Sequence, residues 1–526
     1  MLKRWLVPAL LVSAFWVAVD SEASTASGHP VLLIGMDGGE WSVIRDLWSK
    51  GQLPNLKALA DRGVSAPLES KFGQSPVIWT TIATGMTPEV HGITGFVVAT
   101  DDGDVPIAST MRKVPALWNI ASDAGLRTNV IGWWGAWPAE PINGTNLTEK
   151  AQYDQPDTVY PGSRVAEVKG ALPSLNSQYA QMFPGDKEFA PEDRVTAWFA
   201  PKLAAEGYDI QAMYLHGSDP NSHKYWRYYR PQDFPNETVD PALIKKNADK
   251  IPHAYRSIDE VIGWVVKASP ADVNVIIVSD HGFHPLDRTT TKVTMDIDVV
   301  LEQLGYFKQV GGKVDMAHTK VYTYGTRSSE KDKRLRFNVK GRDPAGIISE
   351  AEMASLKVQL KLDLGRYTYK GSGKPVFEVS EPVKGDADRG ADVVVRVLDE
   401  GASRTLLLDG STPLQGAVKS LVENSGGHNG DPPGIFLAAG PDIDKNAKVT
   451  GISVLDITPT VLYGLGLPVA KDSAGKAWTN LYTSAYQTKF PLKTVPSYGV
   501  RKSSGPTSSE DQDAMLQQLR ELGYIE

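Results

Sequence analysis

Three aspartates, three histidines and one serine stand at positions where a chain of this length can do chemistry. Asp37 follows the apolar run Val31–Met36 directly, in GMDGG. Asp219 comes shortly after Ile210–Leu215, in YLHGSDPNSH, with His223 four residues later. Asp280 and His281 close the stretch VNVIIVS. His428 sits in the glycine-rich SGGHNGDPPG, just ahead of GIFLAA. Ser75 is held between Gln74 and Pro76 in GQSPVIWTTIATG, read as a loop ahead of the apolar run Val77–Ala83. These ligands suffice for two metal sites of three or four donors each. The chain contains no cysteine, so disulfides and thiolate sites are excluded, and any metal must be held by nitrogen and oxygen. Such a donor set suits zinc or manganese better than calcium. Two such ions about 4 Å apart can clamp the attacking and leaving oxygens of an in-line displacement. No Gly-x-Ser-x-Gly elbow surrounds Ser75, so a metal rather than a triad histidine would strip its proton.

Each piece has a plainer reading when taken alone. An aspartate after a strand is commonly a helix cap, and Asp219 with His223 makes a local turn pair. A buried strand ending in two ligands, as at Asp280-His281, is less ordinary. His91, His216 and His284 also lie near the motifs and are assigned to packing or to hydrogen bonds that orient other ligands.

The elements that must bring the seven together are legible as strands and helices in alternation. Val31–Met36, 129–132, Ile210–Leu215 and Val273–Val278 are continuous apolar runs, the mark of strands buried on both faces. Helical stretches over Asn55–Arg62 and Ala116–Ala124 lie between them. The pattern predicts an α/β fold with a mainly parallel sheet sandwiched by helices. In such sheets the carboxyl ends of the strands form the ligand crevice, which is where Asp37, Asp219 and Asp280 fall. The texture changes from about 305 to 408, where charged clusters and turn-rich segments separate short strands such as Val393–Val397. This predicts an inserted α+β subdomain, with residues 29–304 and 409–490 forming the catalytic core. The chain returns to the sheet at Gly434–Ala439 and to a helix at Val454–Gly464. A tail over 491–526 ends in the amphipathic DAMLQQLREL, expected to dock through Met515, Leu519 and Leu522. The segment GSGKP is not a phosphate loop, because Thr368 and Pro375 stand where glycine and a hydroxyl are required.

The net charge of -7 provides no basic stripe, which argues against duplex nucleic acid as a partner. At the N-terminus, Lys3 and Arg4 precede an apolar run from Trp5 to Val19 and small residues near Ala23. This predicts a signal peptide over 1–23, a periplasmic or secreted enzyme, and no stable membrane span in the mature form. The sequons at Asn143, Asn146 and Asn236 matter only in a glycosylating host.

From Val31 to Tyr482 the chain resembles the alkaline phosphatase superfamily. It is most similar to the type I phosphodiesterase/nucleotide pyrophosphatase branch and its predicted bacterial phosphohydrolase/phosphomutase relatives. The segments that carry the resemblance are VLLIGMDG, LPNLKALADRGV, SPVIWTTIATGMTPEVHGI, DPNSH, VSDHGF, GGHNGDPPGIFLAAGP and LDITPTVLYGLGLP. The resemblance implies two zinc sites, one held by Asp37, Ser75, Asp280 and His281, the other by Asp219, His223 and His428. It implies further that Ser75 is a nucleophile forming a phosphoseryl intermediate, on a small-molecule or lipid/envelope phosphoester. Where nucleotide pyrophosphatases place an asparagine after the HGI element, this chain has Phe96, which puts nucleotide substrates in doubt. Trp79, not arginine, lies four residues after Ser75, which weighs against a sulfatase. The aromatic GWWGAW, residues 132–137, either lines a pocket or packs in the core. A phosphotransferase or phosphomutase of the same fold, and a non-catalytic metal-dependent binding protein, remain alternatives.

Overall fold

The structure, a computed structural model, describes residues 28–100, 103–153, 156–182, 191–311, 313–324, 332–383, 390–501 and residue 516. The leader over 1–23 and the predicted contacts of Met515, Leu519 and Leu522 lie outside the described residues. Among the described residues no helix is long and apolar enough to cross a membrane.

An eight-stranded sheet organises the molecule. Its strands are β1 (Val31–Met36), β2 (Val64–Leu68), β3 (Thr128–Ile131), β4 (Gly144–Leu147), β5 (Val159–Tyr160), β6 (Ile210–Leu215) and β7 (Asn274–Val278). To these are added β8 (His284–Met295) and β9 (Val418–Gly427), which pair with each other outside the sheet, and β10 (Gly434–Ala439), which rejoins it. The order across the sheet is β2-β10-β7-β1-β6-β3-β4-β5. The five strands from β7 to β4 run parallel, and β10, β2 and β5 are antiparallel additions at the two margins. Helices flank the sheet, so the expected α/β sandwich is the fold observed. Pro67, which has no N–H for a ladder, lies in β2, the edge strand, where a missing donor is tolerated.

The continuous apolar runs divide by alternation. Leu32, Ile34 and Met36 of β1, with Val275 and Ile277 of β7, enter one core. Val31 and Leu33, with Ile276 and Val278, enter the other. Each face is then covered by helices. The helix α1 (Ser75–Thr84) inserts Ile78, Trp79 and Ile82 into the second core and is buried along its whole length. The helices α2 (Ser218–Tyr229) and α3 (Lys250–Ala268) cover the first, where α3 buries Ile251, Tyr255, Ile258, Val261, Ile262 and Val265. Each buried aliphatic side chain of this kind contributes about 1.5–3 kcal/mol. Gly35 allows α1 to lie this close: a Cβ there would sit 2.7 Å from the Trp79 ring. A third core collects Val293 of β8 with Leu335, Phe337, Leu360, Tyr367 and Val395 from the segment hung between β8 and β9.

Candidate metal centre and active site

Because β1, β6 and β7 are parallel neighbours, their carboxyl ends open on one rim. Asp37 is the residue after β1, and its N–H donates to the Leu215 carbonyl at the end of β6 at 2.9 Å. The chain must then turn sharply. Gly38 adopts φ +61, and a Cβ there would meet the Phe283 ring at 2.7 Å. Its N–H donates to Asp280 Oδ1 at 3.1 Å, and Gly39 N–H donates to Ser279 Oγ at 2.9 Å, which locks the β1 turn onto the β7 turn. Asp219 occupies the first turn of α2, and His223 lies one turn on, on the same face. His428 follows the last residue of β9.

Ser75 is not in a loop. It is the first residue of α1, followed by Pro76 in the position where a missing N–H costs nothing, and the helix closes at Gly85 with φ +68. The helix begins there because the flanking signals are those of a start and a stop.

The seven side chains converge. Asp37, Asp280 and His281 offer ligand atoms within 4.8 Å of one another, and so do Asp219, His223 and His428. The two groups abut: His281 Nε2 is 3.6 Å from Asp37 Oδ1, 3.3 Å from Asp280 Oδ2 and 3.8 Å from Asp219 Oδ1. The His281 and His428 rings stack at 3.8 Å between centroids. Ser75 Oγ lies 3.3 Å from His281 Nε2. Two imidazoles have their tautomers set by backbone carbonyls. His223 Nδ1 donates to the Gly426 carbonyl at 3.0 Å and His281 Nδ1 to the Gly282 carbonyl at 3.0 Å, which orients both rings with Nε2 toward the site.

The electrostatics of the site are unbalanced. Burial works against the Asp37 carboxylate, but hydrogen bonding to His216, the nearby His281 and the Tyr214 hydroxyl hold its pKa down at about 2. Asp280 is pushed well above the usual carboxylate range, by burial first and then by Asp37 and Asp219. Burial lowers His223 to about 4. Burial, then the imidazoles of His281 and His223, lower His428 to about 2. These histidines are therefore neutral, with nitrogen lone pairs available, while several carboxylates crowd one rim. Asp37 Oδ1 and Asp280 Oδ2 are buried with no hydrogen-bond donor. Buried carboxylate oxygens without donors beside neutral imidazoles, with no cysteine in the chain, form a donor set that fits a divalent cation of the zinc or manganese type.

Several contributors escaped sequence reasoning. Tyr214, inside β6, donates its hydroxyl to Asp37 Oδ2 and is bonded to His216 Nδ1 at 2.9 Å. Trp79 Nε1 reaches Asp37 Oδ2 at 3.4 Å. Of the GWWGAW residues, Trp133 and Trp137 are core, and Trp134 donates from Nε1 to the Tyr214 hydroxyl at 2.5 Å and packs edge-on against Phe96 and His216. His91 is buried away from the ligands, against Thr81 and the Ile93 N–H. A cavity of about 240 Å³ opens beside Ser75, His223 and His428, with Phe96 on one side and residues of β8 and β9 on the other.

Solved structures similar to this chain include murine ectonucleotide pyrophosphatase/phosphodiesterase 5, at 15% identity over 86% of this chain and 100% of that one, with a TM-score of 0.43. The human protein of the same name gives 16% identity over 87% and 100%, with a TM-score of 0.41. Phosphonoacetate hydrolase from Sinorhizobium meliloti gives 14% over 83% and 95%, with a TM-score of 0.39. No curated protein matches. Residues 31–405 match the family described as type I phosphodiesterase / nucleotide pyrophosphatase, a span that contains β1, α1, α2 and β7 and six of the seven convergent side chains. The chain belongs to the type I phosphodiesterase / nucleotide pyrophosphatase family and is a metal-dependent phosphoric ester hydrolase.

Proposed function

We propose that the protein is an exported two-metal phosphoric ester hydrolase, a phosphodiesterase or phosphatase that works through a phosphoseryl intermediate on Ser75. The observation that carries this reading is the placement of the Ser75 hydroxyl against His281 at the junction of two carboxylate-imidazole clusters. Asp37, Ser75, Asp280 and His281 would hold one divalent cation and Asp219, His223 and His428 the other, most readily zinc and next manganese. When bound, such ions lower the pKa of a coordinated hydroxyl and neutralise developing negative charge.

The chain's own residues then have defined tasks. Ser75 Oγ gives up its proton and attacks phosphorus, the bond from phosphorus to the leaving oxygen breaks, and that oxygen keeps the electron pair and takes up a proton to depart as the alcohol. Water next attacks the same phosphorus, and the Ser75–phosphorus bond breaks to return the hydroxyl. Tyr214, His216 and Trp79 fix the Asp37 carboxylate. Ser75 opens α1, so the positive end of a ten-residue helix faces the group being transferred. The segment 305–408, reached through β8 and β9, acts as an insert that shapes access, and the substrates are small or envelope phosphoesters.

The test is to load the mature protein with zinc or manganese and assay bis-p-nitrophenyl and p-nitrophenyl phosphate, with acid quenching and mass spectrometry of the peptide that contains Ser75. Turnover with a phosphate mass increment on Ser75 is expected. No turnover of either ester at near-complete metal occupancy, or turnover with no trapped phosphoserine at any quench time, overturns the reading.

A further inference from the structure

Two buried serines stand behind the two ligand groups, one to each. Ser279 immediately precedes Asp280. Its Oγ accepts the Gly39 N–H at 2.9 Å and donates to the His281 carbonyl. It thus ties together the turns that carry Asp37, Asp280 and His281. Ser425 lies in β9, close before His428, and is equally buried. It stands at a break in the ladder. Gly426 pairs with Pro285 and Asn424 with Thr290, so residues 286–289 of β8 oppose Ser425 alone. Such irregularities re-aim a side chain, and here the side chain meets helix α2. Ser425 Oγ accepts the Arg227 N–H at 3.1 Å and donates to the Lys224 carbonyl at 3.3 Å, the two roles a hydroxyl can fill at once. The next residue continues the grip. The Gly426 carbonyl accepts the His223 Nδ1 bond, and a Cβ on Gly426 would lie 2.3 Å from the Ser222 carbonyl oxygen. Strand and helix therefore meet backbone to backbone where one leads to His428 and the other carries Asp219 and His223.

We propose that Ser425 is a positioning residue for the cation held by Asp219, His223 and His428, and that Ser279 serves the cation held by the Asp37, Asp280 and His281 group, so that each metal position has its own hydroxyl clamp. The inference rests on the two-metal reading above and adds which residues tune each position. His223 and Gly426 are 203 residues apart in the chain, so the ligands on α2 and the ligand after β9 keep a fixed spacing only where the two elements are joined. Zinc requires its nitrogen and oxygen ligands at about 2.0–2.2 Å, and slack between helix and strand is felt as lost affinity. The helix stays docked without the hydroxyl. Arg227 Nη1 donates to Thr289 Oγ1 at 3.1 Å and Nη2 to Glu423 Oε2 at 2.6 Å, so loss of Ser425 Oγ loosens α2 and does not release it. In the first group β1 and β7 are already neighbours in the sheet, and Ser279 closes the turns beyond them.

The experiment titrates the metal-free mature protein with zinc by calorimetry, against a competing chelator. Wild type should bind two ions. Asp280→Asn leaves the Asp219, His223 and His428 group whole and His428→Ala leaves the other whole, which assigns each binding step. In the Asp280→Asn background, Ser425→Ala should weaken the remaining ion about 10–100-fold, the usual result of losing a partner that orients a ligand. In the His428→Ala background the same substitution should leave affinity unchanged. Ser279→Ala should show the reverse pattern. Cobalt in place of zinc gives a spectroscopic readout: Ser425→Ala should shift the visible absorption of the ion retained in Asp280→Asn and not that of the ion retained in His428→Ala. Ser425→Thr, which keeps the hydroxyl, should restore affinity and spectrum, and metal-free Ser425→Ala should unfold at nearly the wild-type temperature. Equal losses at both positions, or no loss in the Asp280→Asn background, overturn the inference while leaving the two-metal reading in place. Wild type that binds fewer than two ions overturns the two-metal reading and this inference with it.

Discussion

Buried carboxylates occur in two parts of this molecule. Near the loop that follows β3, Glu140 is 5% exposed and Arg112 is 3% exposed. Arg112 Nη2 donates to Glu140 Oε2 at 2.7 Å and to Oε1 at 2.9 Å, and Trp118 Nε1 adds a third bond at 2.9 Å. Arg501 contributes a second cation from the far end of the described chain. At the rim of the sheet, Asp37, Asp219 and Asp280 are each fully buried, yet the nearest basic groups are imidazoles, of which His223 and His428 are held neutral by burial. Both clusters paid a desolvation cost, but the first sets its carboxylate against two arginines of the chain, whereas the second crowds three carboxylates beside imidazoles, a donor set that fits a divalent cation. A buried ion pair with complete partners describes architecture; crowded carboxylates beside neutral ligand nitrogens describe a binding site.

The largest expected effect belongs to the rim. Ser75→Ala should lower turnover by at least about four orders of magnitude, as loss of a nucleophile does, while thermal unfolding and metal content stay near wild type. If activity survives, the serine is not the nucleophile and the contrast drawn here loses its catalytic half. Glu140→Gln should do the reverse. Urea unfolding at pH 7 should show a loss of about 3–5 kcal/mol, since it strands Arg112 without a countercharge, with little change in the protein that remains folded. Burial alone would raise the Glu140 carboxyl, but Arg112 and Arg501 hold it below its ordinary value. Its stabilisation is therefore complete above the ordinary carboxylate range and fades as the pH falls through the depressed value, so the gap between wild type and Glu140→Gln should narrow by pH 3.

Metal should act on the rim alone. Zinc or manganese at a hundredfold excess over its dissociation constant should stabilise the protein by about 2.7 kcal/mol in a thermal scan, and Asp280→Asn should remove most of that gain. Stabilisation that persists in Asp280→Asn would place the ion elsewhere. The smallest effect is on the metal-free protein. Asp280→Asn relieves repulsion among carboxylates and should raise its stability by about 1 kcal/mol. The Asp280 carboxyl is raised rather than lowered, so metal-free wild type should gain on this account as the pH drops, the opposite sign to Glu140.

Much of this site was legible because parallel strands force their carboxyl ends to one rim. Once VLLIGM and VNVIIV are read as strands, Asp37 and Asp280-His281 have only one edge to occupy. Three things were not legible. The helix α1 read as an apolar run after a loop, because a helix buried on every side shows no polar face to set its period. Tyr214 and its bond to Asp37 are hidden inside β6, where nothing in the residue type separates a core tyrosine from one that orients a ligand. Lys292 and Asn424 line one cavity with Ser75 only because β8 and β9 pair across the whole inserted segment, an arrangement with no local signature.

That pairing has a consequence for how such an enzyme diversifies. Met295 and Val418 are register partners, so the chain departs for the inserted segment and comes home at adjacent points of one ladder. Residues between those points can be lengthened, shortened or exchanged while the ladder beneath them holds its place beside Ser75. If that segment shapes access as proposed, what the enzyme accepts can be retuned at this graft without disturbing the rim of the sheet.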